Sequence, residues 1–500
     1  MLPNDFPEDL KPRLAPTPGG DMGYDCLSCG RRHAPDQLLY TCPDCGGLLM
    51  LTDAKFDELK RKPGQFWRRL FDHRLMLNLQ AIRGVFTFQE FLAPNIPLVD
   101  VVYLGEGHTP LIAAPRELAK TVGAHFFVKT EGQNPSASFK DRGMAAALSM
   151  LNNLVRVKNL GQVVAVCAST GDTSAAAALY AASLGGSVKS SVLLPKGRVT
   201  PQQLSQPLGA GAAVFELPGV FDDAMRVVER LSEKYQVALL NSKNPWRVLG
   251  QESYAYEVAQ QFDYSLRDKV LVVPVGNAGN ITAVLSGLLK FFRASVIDGL
   301  PKIVAVQSKR ANPVFLYYRQ PSASRSYAPV TVRPSVAQAA MIGDPVSFPR
   351  LTALAAQYEA TAGAPAFFVV EVDETSIMES MLLANRNGLA VCTQGGECLA
   401  GLRAALAEGL VTPSETAVLD STAHALKFVD FQNAYFEGRL LDDYGIKSRP
   451  ELANKPRPVN LGAAPVPGPG VALSAEERER FVSAAAAQIA VALGLEDKAR

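Results

Sequence analysis

The stretch of sequence that decides the fold is Asn134-Pro135-Ser136-Ala137-Ser138-Phe139-Lys140-Asp141-Arg142-Gly143. It separates an apolar strand candidate at 125–129 from an alanine-rich helix candidate at 144–150. Asn-Pro favours a turn and Ser138 can cap the following helix, so Lys140 is predicted to lie in the first helical turn. The helix dipole disfavours a cation there unless the amine is neutral, for instance bound as an imine. Lys140 is therefore a candidate reactive lysine, and the alternative is a solvated surface lysine.

Apolar runs recur on both sides of this stretch, with helix-length segments between them. The runs lie at 125–129, 163–168, 191–194, 214–217, 237–240, 270–275, 303–306, 367–372 and 417–419. Near-continuous hydrophobic strands separated by helices indicate an α/β fold with parallel-rich sheets that helices cover on both faces. Ligands bind at the carboxyl ends of such strands, so we expect the site in the loops that follow these runs.

Three of those loops carry residues that suit an anion. Small hydroxyl residues and glycine fill 169–174 ahead of an alanine-rich helix, which indicates either an anion site or a well-capped helix. Asn, Ser and Arg in 241–247 can give a phosphate several donors, including a charged fork. Two glycines in 276–280 permit close approach of the backbone before a helix start, which is typical of a phosphate site.

Four of the seven cysteines form two close pairs near the N-terminus. The pairs are Cys26 with Cys29 and Cys42 with Cys45, and a glycine follows each pair. Two such turns supply the tetrahedral four-sulfur set that zinc prefers, so the spacing predicts a structural Zn²⁺ ribbon. The alternative is a reduced loop without metal. His33 lies between the pairs, but four sulfurs already complete the set, and such a closed site leaves no position for catalysis.

The composition and the chain ends restrict the possible partners. Fifty basic and 48 acidic side chains leave a net charge of +2, which points neither to nucleic acid nor to an anionic membrane. Residues 1–6 lack the pattern of a secretion signal, and no apolar run is long enough to span a bilayer. We therefore expect a cytoplasmic protein without nucleic-acid or membrane partners.

The order of these features predicts the domain organisation. We expect an N-terminal arm and zinc ribbon at 1–50, and a smaller lobe at 150–245 inserted between the two parts of a larger lobe, 51–149 and 246–445. A proline-rich linker then leads to a C-terminal helix within 446–500, which Ser474 and Glu477 open as a capping box.

Several segments together resemble one enzyme family. The Ser-Phe-Lys-Asp-Arg-Gly run around Lys140 resembles the cofactor-lysine segment of the tryptophan synthase β-like, fold type II pyridoxal-phosphate enzymes, and most closely that of the threonine synthase family. The segment 105–111 is similar to a Gly-Glu-Gly-Asn-Thr-Pro-Leu run of that family, with His108 in place of asparagine. The segment 420–427 resembles its Thr-Gly-His-Gly-Leu-Lys run, with alanine at both glycine positions.

The resemblance implies a two-lobed fold type II architecture, a pyridoxal 5'-phosphate cofactor and specific roles for site residues. Lys140 would bind the cofactor and act as the catalytic base, with Phe139 beside it. Asp172 would meet the ring hydroxyl, and Thr422, or alternatively Ser421, the pyridine nitrogen. The resemblance assigns the cofactor phosphate to Gly276, Asn277, Ala278, Gly279 and Asn280. It assigns the substrate phosphate to Thr173, Asn241, Ser242 and Arg247.

The implied reaction is that of a lyase, which converts O-phospho-L-homoserine and water into L-threonine and phosphate, in an expected homodimer. One alternative within the class is cysteate synthase or another β-replacement enzyme that acts on O-phosphoserine. An alternative of a different class is a non-catalytic protein whose zinc ribbon binds a partner.

Overall fold

A computed structural model describes residues 5–169, 171–196, 201–218, 221–470 and 472–496. The chain divides into two compact units, Met1–Lys447 and Ser448–Arg500. The strands are β1 Met22–Cys26, β2 Arg32–His33, β3 Leu49–Asp53, β4 Leu111–Ala113, β5 Phe126–Thr130, β6 Val163–Ala168, β7 Val188–Pro195, β8 Ala213–Leu217, β9 Val237–Leu239, β10 Lys269–Pro274, β11 Lys302–Ser308, β12 Phe367–Val372 and β13 Thr416–Ser421.

Helices connect most of these strands. They are α1 Lys11–Leu14, α2 Phe56–Leu59, α3 Gly64–Arg74, α4 Gln89–Leu92, α5 Arg116–Val122, α6 Lys140–Lys158, α7 Asp172–Ala182, α8 Pro201–Gly209, α9 Phe221–Lys234, α10 Pro245–Gln251, α11 Ser253–Gln261, α12 Gly279–Arg293, α13 Pro313–Tyr318, α14 Phe348–Ala362, α15 Glu374–Arg386, α16 Thr393–Ala407, α17 Val429–Glu437, α18 Leu441–Tyr444 and α19 Ala475–Leu493. Short 3₁₀ helices lie at Gln80–Ile82, Val85–Phe88, Leu98–Asp100, Glu131–Gln133, Gly185–Ser187, Ser322–Ser324, Gln338–Ala340 and Ala425–Phe428.

The larger sheet has six strands in the order β12-β11-β10-β13-β5-β4. Its pairs are parallel except β4 with β5, which is antiparallel. Helix α16 packs on β10 to β13, while Leu271 and Val273 of β10 share a hydrophobic cluster with Val284 and Leu285 of α12. Burial on both faces explains why these strands read as continuous apolar runs, and the predicted parallel-rich α/β class is confirmed.

A second sheet of four parallel strands has the order β8-β7-β6-β9. All four strands lie within 150–245, the range that the sequence assigns to the smaller lobe. The exact lobe boundaries stay a prediction. Strand β9 lies at one edge of this sheet, and the chain leaves it directly for α10.

The N-terminal segment forms a third, antiparallel sheet in the order β2-β1-β3. We call residues 22–53 the ribbon. Tyr24 of β1 is 1% exposed and its hydroxyl accepts a hydrogen bond from Trp246 Nε1 at 2.8 Å, so the ribbon is packed on α10 rather than tethered loosely.

The C-terminal unit, Ser448–Arg500, contains α19. The predicted capping box at its start is confirmed: Glu477 N donates to Ser474 Oγ at 3.2 Å, and Ser474 N donates to Glu477 Oε2 at 2.8 Å.

In the part of the chain that the structure describes, no helix combines the length and the apolar character needed to cross a membrane.

Candidate active site

A cavity lies where the loops after several parallel strands converge. Residues that follow β5, β6, β9, β10 and β13 all line it, as expected for sheets whose ligands bind at the carboxyl ends of the strands. Its lining contains Phe139, Lys140, Asp172, Ser242, Arg247, Val248, Gln251, Pro274, Gly276, Asn277, Ala278, Gly279, Asn280, Ile281, Ala339, Ala340, Gln394 and Thr422. Eleven of these are residues that the sequence analysis names.

Lys140 is the first residue of α6, and a tertiary contact places it there. Phe139 N donates to the Thr422 carbonyl oxygen at 2.9 Å, and Ser138 forms an antiparallel bridge with Ala423. The predicted cap at Ser138 is wrong. Phe139 occupies the N-cap position, and Ser138 Oγ is buried without a hydrogen-bond partner in the described part of the chain. The bridge holds Ser138 outside the helix, so the helix starts beside Thr422.

A buried ionic network anchors the same end of α6. Arg142 donates from Nε to Glu131 Oε2 at 2.7 Å and from Nη1 to Glu257 Oε1 at 2.5 Å. Lys129 Nζ also donates to Glu257, at 3.0 Å. Because each buried charge has an opposite partner, the network fixes the start of α6 without leaving an uncompensated charge.

The environment of Lys140 favours a neutral amine. Burial lowers the pKa of Lys140 from 10.5 to about 7, and the positive charge of Arg247 lowers it further within that shift. The ammonium lies 4.2 Å from the centroid of the Phe139 ring. Within the described residues it forms neither a hydrogen bond nor an ion pair, so a free amine is available near neutral pH.

Close packing of two helices brings Arg247 beside Lys140. A Cβ atom on Gly250 of α10 would lie 2.2 Å from the Arg142 carbonyl oxygen of α6, and one on Gly143 would lie 2.7 Å from the Arg247 carbonyl oxygen. Only glycine permits this approach of the two backbones. Lys140 at the start of α6 and Arg247 of α10 therefore line the same cavity.

The Arg247 guanidinium is available to an anion. It is 2% exposed, and burial lowers its pKa to about 10. Nη1 donates to the Leu240 carbonyl oxygen at 3.0 Å, whereas Nε has no partner in the described part of the chain. A buried guanidinium without a carboxylate partner is costly unless an anion binds to it.

The loop 276–280 forms the floor of the cavity. Ala278 has φ +58°, and α12 begins at the next residue, so the first backbone N–H groups of this helix lie at the cavity without intrahelical partners. A Cβ atom on Gly276 would lie 3.0 Å from Cα of Ala340, which explains the glycine. Asn280 donates to Asp420 Oδ2 at 2.7 Å, while its own Oδ1 is buried and unpartnered within the described residues. A helix start with donors free suits a phosphate.

Two further predicted residues line the cavity. Asp172 is buried and accepts a hydrogen bond from Lys427 Nζ at 2.9 Å, an ion pair that the sequence analysis missed. Thr422 lines the cavity whereas Ser421 does not. The structure therefore favours Thr422 over Ser421 as the residue that can meet a bound ring.

Thr173 and Asn241 are not among the lining residues. The Asn241 side chain forms two hydrogen bonds with the backbone of Ala168. Its Nδ2 donates to the Ala168 carbonyl oxygen at 2.6 Å, and its Oδ1 accepts from Ala168 N at 3.0 Å. Asn241 thus ties the end of β9 to the end of β6. Its predicted direct contact with a substrate phosphate stays untested, and the geometry gives it a supporting position.

Gln394 and Gln251 are polar lining residues without a predicted role, and Gln394 is the one whose side chain is left unsatisfied among the described residues. It is 2% exposed, and neither its amide nitrogen nor its amide oxygen has a partner in the described part of the chain. The neighbouring cysteines and glycines suggest an ordinary buried helix start, so the sequence gives only a weak signal. An orphaned buried amide in a cavity indicates a ligand that satisfies it.

The four cysteines predicted as metal ligands converge in the ribbon. Their sulfur atoms all lie within 4.8 Å of one another, with Cys26 and Cys45 at 3.5 Å and Cys29 and Cys42 at 3.8 Å. The glycine after each pair has φ +72°, which closes each turn. His33 Nε2 lies 3.3 Å from Cys42 Sγ, so it lies at the edge of the cluster. The set fits a tetrahedral zinc ion.

Comparison with known proteins places this site in a family. The profile described as pyridoxal-phosphate dependent enzyme matches residues 102–420. The chain is 36% identical over 409 residues to threonine synthase of Methanocaldococcus jannaschii, covering 81% of this chain and 93% of the relative. The chain belongs to the threonine synthase family of pyridoxal-phosphate dependent enzymes.

Two other relatives agree with this family assignment. Threonine synthase 2, chloroplastic, of Arabidopsis thaliana is 34% identical, over 80% of this chain and 75% of the relative. The crystal structure of threonine synthase from Escherichia coli has a TM-score of 0.61 at 19% identity, over 92% of this chain and 94% of that chain. The second likeness supports the fold, and the family resemblance expected from the motifs is confirmed.

Proposed function

We propose that the protein is a threonine synthase that converts O-phospho-L-homoserine and water into L-threonine and phosphate. One observation carries the proposal. The amine of Lys140, which burial favours in its neutral form, and the guanidinium of Arg247 line the same cavity, and neither forms an ion pair within the described residues. The substrate would bring an amine to the first and a phosphate to the second. The names of the relatives, which are threonine synthases, support threonine as the product.

The cavity suits pyridoxal 5'-phosphate, the cofactor of the family. Lys140 would hold it covalently, with Phe139 alongside, and the loop 276–280 would bind its phosphate at the start of α12. Asp172 would face the ring hydroxyl and Thr422 the pyridine nitrogen. The unpartnered atoms at Asn280 and Gln394 are consistent with a ligand in this cavity. When bound, the cofactor supplies an electron sink that stabilises negative charge on the substrate carbons.

Lys140 would move the protons. As a free amine, Lys140 has a lowered pKa, about 7 from burial and the Arg247 charge, which suits a general base at neutral pH. We assign it the proton at Cα and the proton transfers at Cβ. The Cγ–O bond would break and phosphate would leave with the bonding electrons, while water supplies the hydroxyl group at Cβ. Of the three protons released by Cα, Cβ and water, one goes to Cγ, which becomes the methyl group, one returns to Cα, and one goes to the departing phosphate. The elimination makes the enzyme a lyase.

Arg247 and Ser242 would bind the substrate phosphate. Both line the cavity on the segment between β9 and α10, and the Nε of Arg247 is free to donate. These contacts orient the substrate and stabilise charge on the departing phosphate. Thr173 stays a predicted phosphate contact, whereas we assign Asn241 a supporting role because its amide is bound to Ala168.

Product analysis with two substrates tests the proposal. We expect the purified protein to release L-threonine and phosphate from O-phospho-L-homoserine and not to consume O-phospho-L-serine. Lys140→Ala should abolish turnover and the visible absorbance of bound cofactor, because no other lysine lines the cavity formed by the described residues. Turnover of O-phospho-L-serine alone would indicate a β-replacement enzyme instead. Full activity in Lys140→Ala would contradict the assignment of the site.

Three further features stay proposals. We propose that the four ribbon cysteines hold a structural Zn²⁺ ion, which the convergence of their sulfurs supports. The lobe boundaries and the homodimer expected from the family stay predictions, and light scattering on the purified protein would check the second of these.

A further inference from the structure

The ribbon contacts the segment that carries the proposed phosphate ligands. We call residues 239–247 the phosphate segment, because Ser242 and Arg247 lie in it. The segment begins at the end of β9 in the smaller sheet and ends in α10. Hydrogen bonds connect it with the ribbon at its start and near its end, and Arg350 bridges its middle to the ribbon.

The first contact holds the start of the phosphate segment. Leu239 N donates to the Tyr40 hydroxyl of the ribbon at 2.8 Å. Strand β9 is the edge strand of its sheet, and Leu240 N already donates inward to the Val166 carbonyl oxygen at 2.9 Å. The outward-facing amide of Leu239 therefore has no neighbouring strand, and the Tyr40 hydroxyl takes that position.

The second contact holds the end of the segment. Trp246, the residue before Arg247, donates from Nε1 to the Tyr24 hydroxyl of the ribbon at 2.8 Å. Trp246 is 2% exposed and Tyr24 is 1% exposed, so water does not compete for this hydrogen bond. The direction of α10 at Arg247 is thus coupled to the position of β1.

The third contact holds the middle of the phosphate segment. Arg350 of α14 donates to the Leu49 carbonyl oxygen of the ribbon at 2.6 Å from Nη2 and at 3.0 Å from Nε. The same guanidinium donates to the carbonyl oxygens of Ser242 at 3.3 Å and of Lys243 at 3.1 Å. Arg350 is 1% exposed and has no carboxylate partner in the described part of the chain, so carbonyl groups from both sides share its charge.

Metal binding would order two of these contacts directly. Tyr24 stands two residues before Cys26, and Tyr40 two residues before Cys42, the first cysteine of each pair. A zinc ion that closes the two cysteine turns therefore also fixes the two tyrosine hydroxyls relative to one another.

We propose that the ribbon is a positioning element for substrate phosphate: its metal-ordered turns, through Tyr24, Tyr40 and the Arg350 bridge, hold the phosphate segment in the shape that binds the anion. The inference rests on the proposed function, because it assumes that Ser242 and Arg247 bind phosphate. It assigns the ribbon an indirect role, through Ser242 and Arg247, since no ribbon residue lines the cavity within the described part of the chain.

The test uses the holoenzyme and inorganic phosphate as the probe. The double variant Tyr24→Phe/Tyr40→Phe keeps both rings and removes only the two hydroxyls. Each hydrogen bond changes an equilibrium roughly three- to tenfold, so we expect phosphate to bind at least threefold more weakly. Hydrogen exchange of peptide 239–247 should also become faster, whereas L-threonine affinity and the absorbance of the bound cofactor should stay unchanged.

Two control variants separate the possible outcomes. Tyr358→Phe removes a buried hydroxyl that donates to the Pro301 carbonyl oxygen at 2.6 Å, away from the ribbon, and should leave phosphate affinity unchanged. Arg247→Ala should weaken phosphate binding strongly. If Arg247→Ala weakens it but the double tyrosine variant does not, the inference is wrong and the proposed function stands. If Arg247→Ala has no effect on phosphate, both are wrong. Equal loss of L-threonine and phosphate affinity in the tyrosine variant would indicate general loosening and would also overturn the inference.

Discussion

The positive charge of Arg247 helps to determine the charge of Lys140 in the cavity. The positive charge of Arg247 is the second cause, after burial, of the low pKa of Lys140. An amine that must react with an aldehyde and then accept protons needs its neutral form, and the neighbouring guanidinium favours that form without forming a bond to it. The proposed phosphate ligand therefore also prepares the reactive lysine.

We expect the rate at which cofactor-free protein binds pyridoxal 5'-phosphate to rise with pH and to level off above a midpoint near 7, because Lys140 is neutral above a pKa of about 7. Arg247→Ala removes a positive charge and should move this midpoint to higher pH, whereas Arg247→Lys should keep it. Stopped-flow absorbance over a pH series measures the midpoint, and comparison of variants cancels titration of the aldehyde itself. An unchanged midpoint in Arg247→Ala would contradict the coupling.

Gln394→Leu should have opposite effects on stability and on binding. In the ligand-free protein it removes a buried amide whose two polar atoms have no partner in the described part of the chain, so Tm should rise. The bound cofactor or substrate should lose about fivefold in affinity, since a hydrogen bond is lost. Thermal unfolding of the cofactor-free protein and titration with cofactor and substrate check the two effects. Unchanged affinities would mean that Gln394 does not meet the ligands.

At this scale, the sequence predicts the residues of the site but not their hydrogen-bond partners. Lys140, Asp172 and Thr422 follow three separate strands in the sequence, and Ser242 and Arg247 both follow a fourth. The strand-end rule places the site in these loops, and all five residues line one cavity. The pairing of Asp172 with Lys427, 255 positions away, depends on tertiary packing that no local pattern reports. The same is true of the Asn241 amide, which the backbone of Ala168 uses.

At the scale of elements, the crossing of α6 and α10 sets the distance between Lys140 and Arg247. The helices approach closely at Gly143 and Gly250, where an added Cβ atom would meet a backbone carbonyl of the other helix. Backbone groups cannot move aside as a flexible side chain can, so the crossing has little tolerance.

Gly250→Ala should therefore destabilise the protein by about 1–3 kcal/mol, the usual effect of overpacking. The added atom would lie 2.2 Å from the Arg142 carbonyl oxygen, so one helix must shift. Gly186→Ala is the matched control because no atom lies within 4 Å of its added Cβ. Urea denaturation of the two variants gives the difference. Equal stability of both variants would show that the crossing can relax.

The elements themselves were largely predictable. Each of the nine apolar runs forms a strand. Burial on both faces explains the continuous hydrophobic signal of the central strands, whereas β8 at the edge of the smaller sheet is largely exposed. Strand β4 was missed, since its three residues are half-buried or exposed and carry no such signal. The start of α6 was misplaced at Ser138 because the bridge to Ala423, far away in sequence, overrides the local capping preference.

At the scale of the whole molecule, the ribbon contacts three elements that lie far apart in the sequence. Tyr40 contacts β9 of the smaller sheet, Tyr24 contacts α10, and the carbonyl oxygen of Leu49 binds Arg350 of α14. Loss of the proposed zinc ion should therefore weaken contacts well beyond the ribbon.

We expect the purified protein to contain zinc at a one-to-one ratio, as a four-thiolate set completes one tetrahedral ion. Cys42→Ser should release the zinc and lower Tm, because closure of the metal site contributes to folding free energy. Elemental analysis and thermal unfolding measure the two effects. The matched control is Cys167→Ser, which changes a buried thiol outside the cluster and should retain the metal. Wild-type protein that stays metal-free when purified with zinc present would contradict the assignment.

The geometry of the four cysteines also bears on how the protein must be handled. The sulfurs of Cys26 and Cys45 lie 3.5 Å apart and those of Cys29 and Cys42 lie 3.8 Å apart, so in protein from which zinc has been removed little movement would bring each pair to bonding distance. Air would then oxidise the stripped thiols into cross-links between the two turns, and these would block reloading of the ion. Preparations stored without a reducing agent should lose activity in a way that zinc alone does not restore, but that a reductant followed by zinc does.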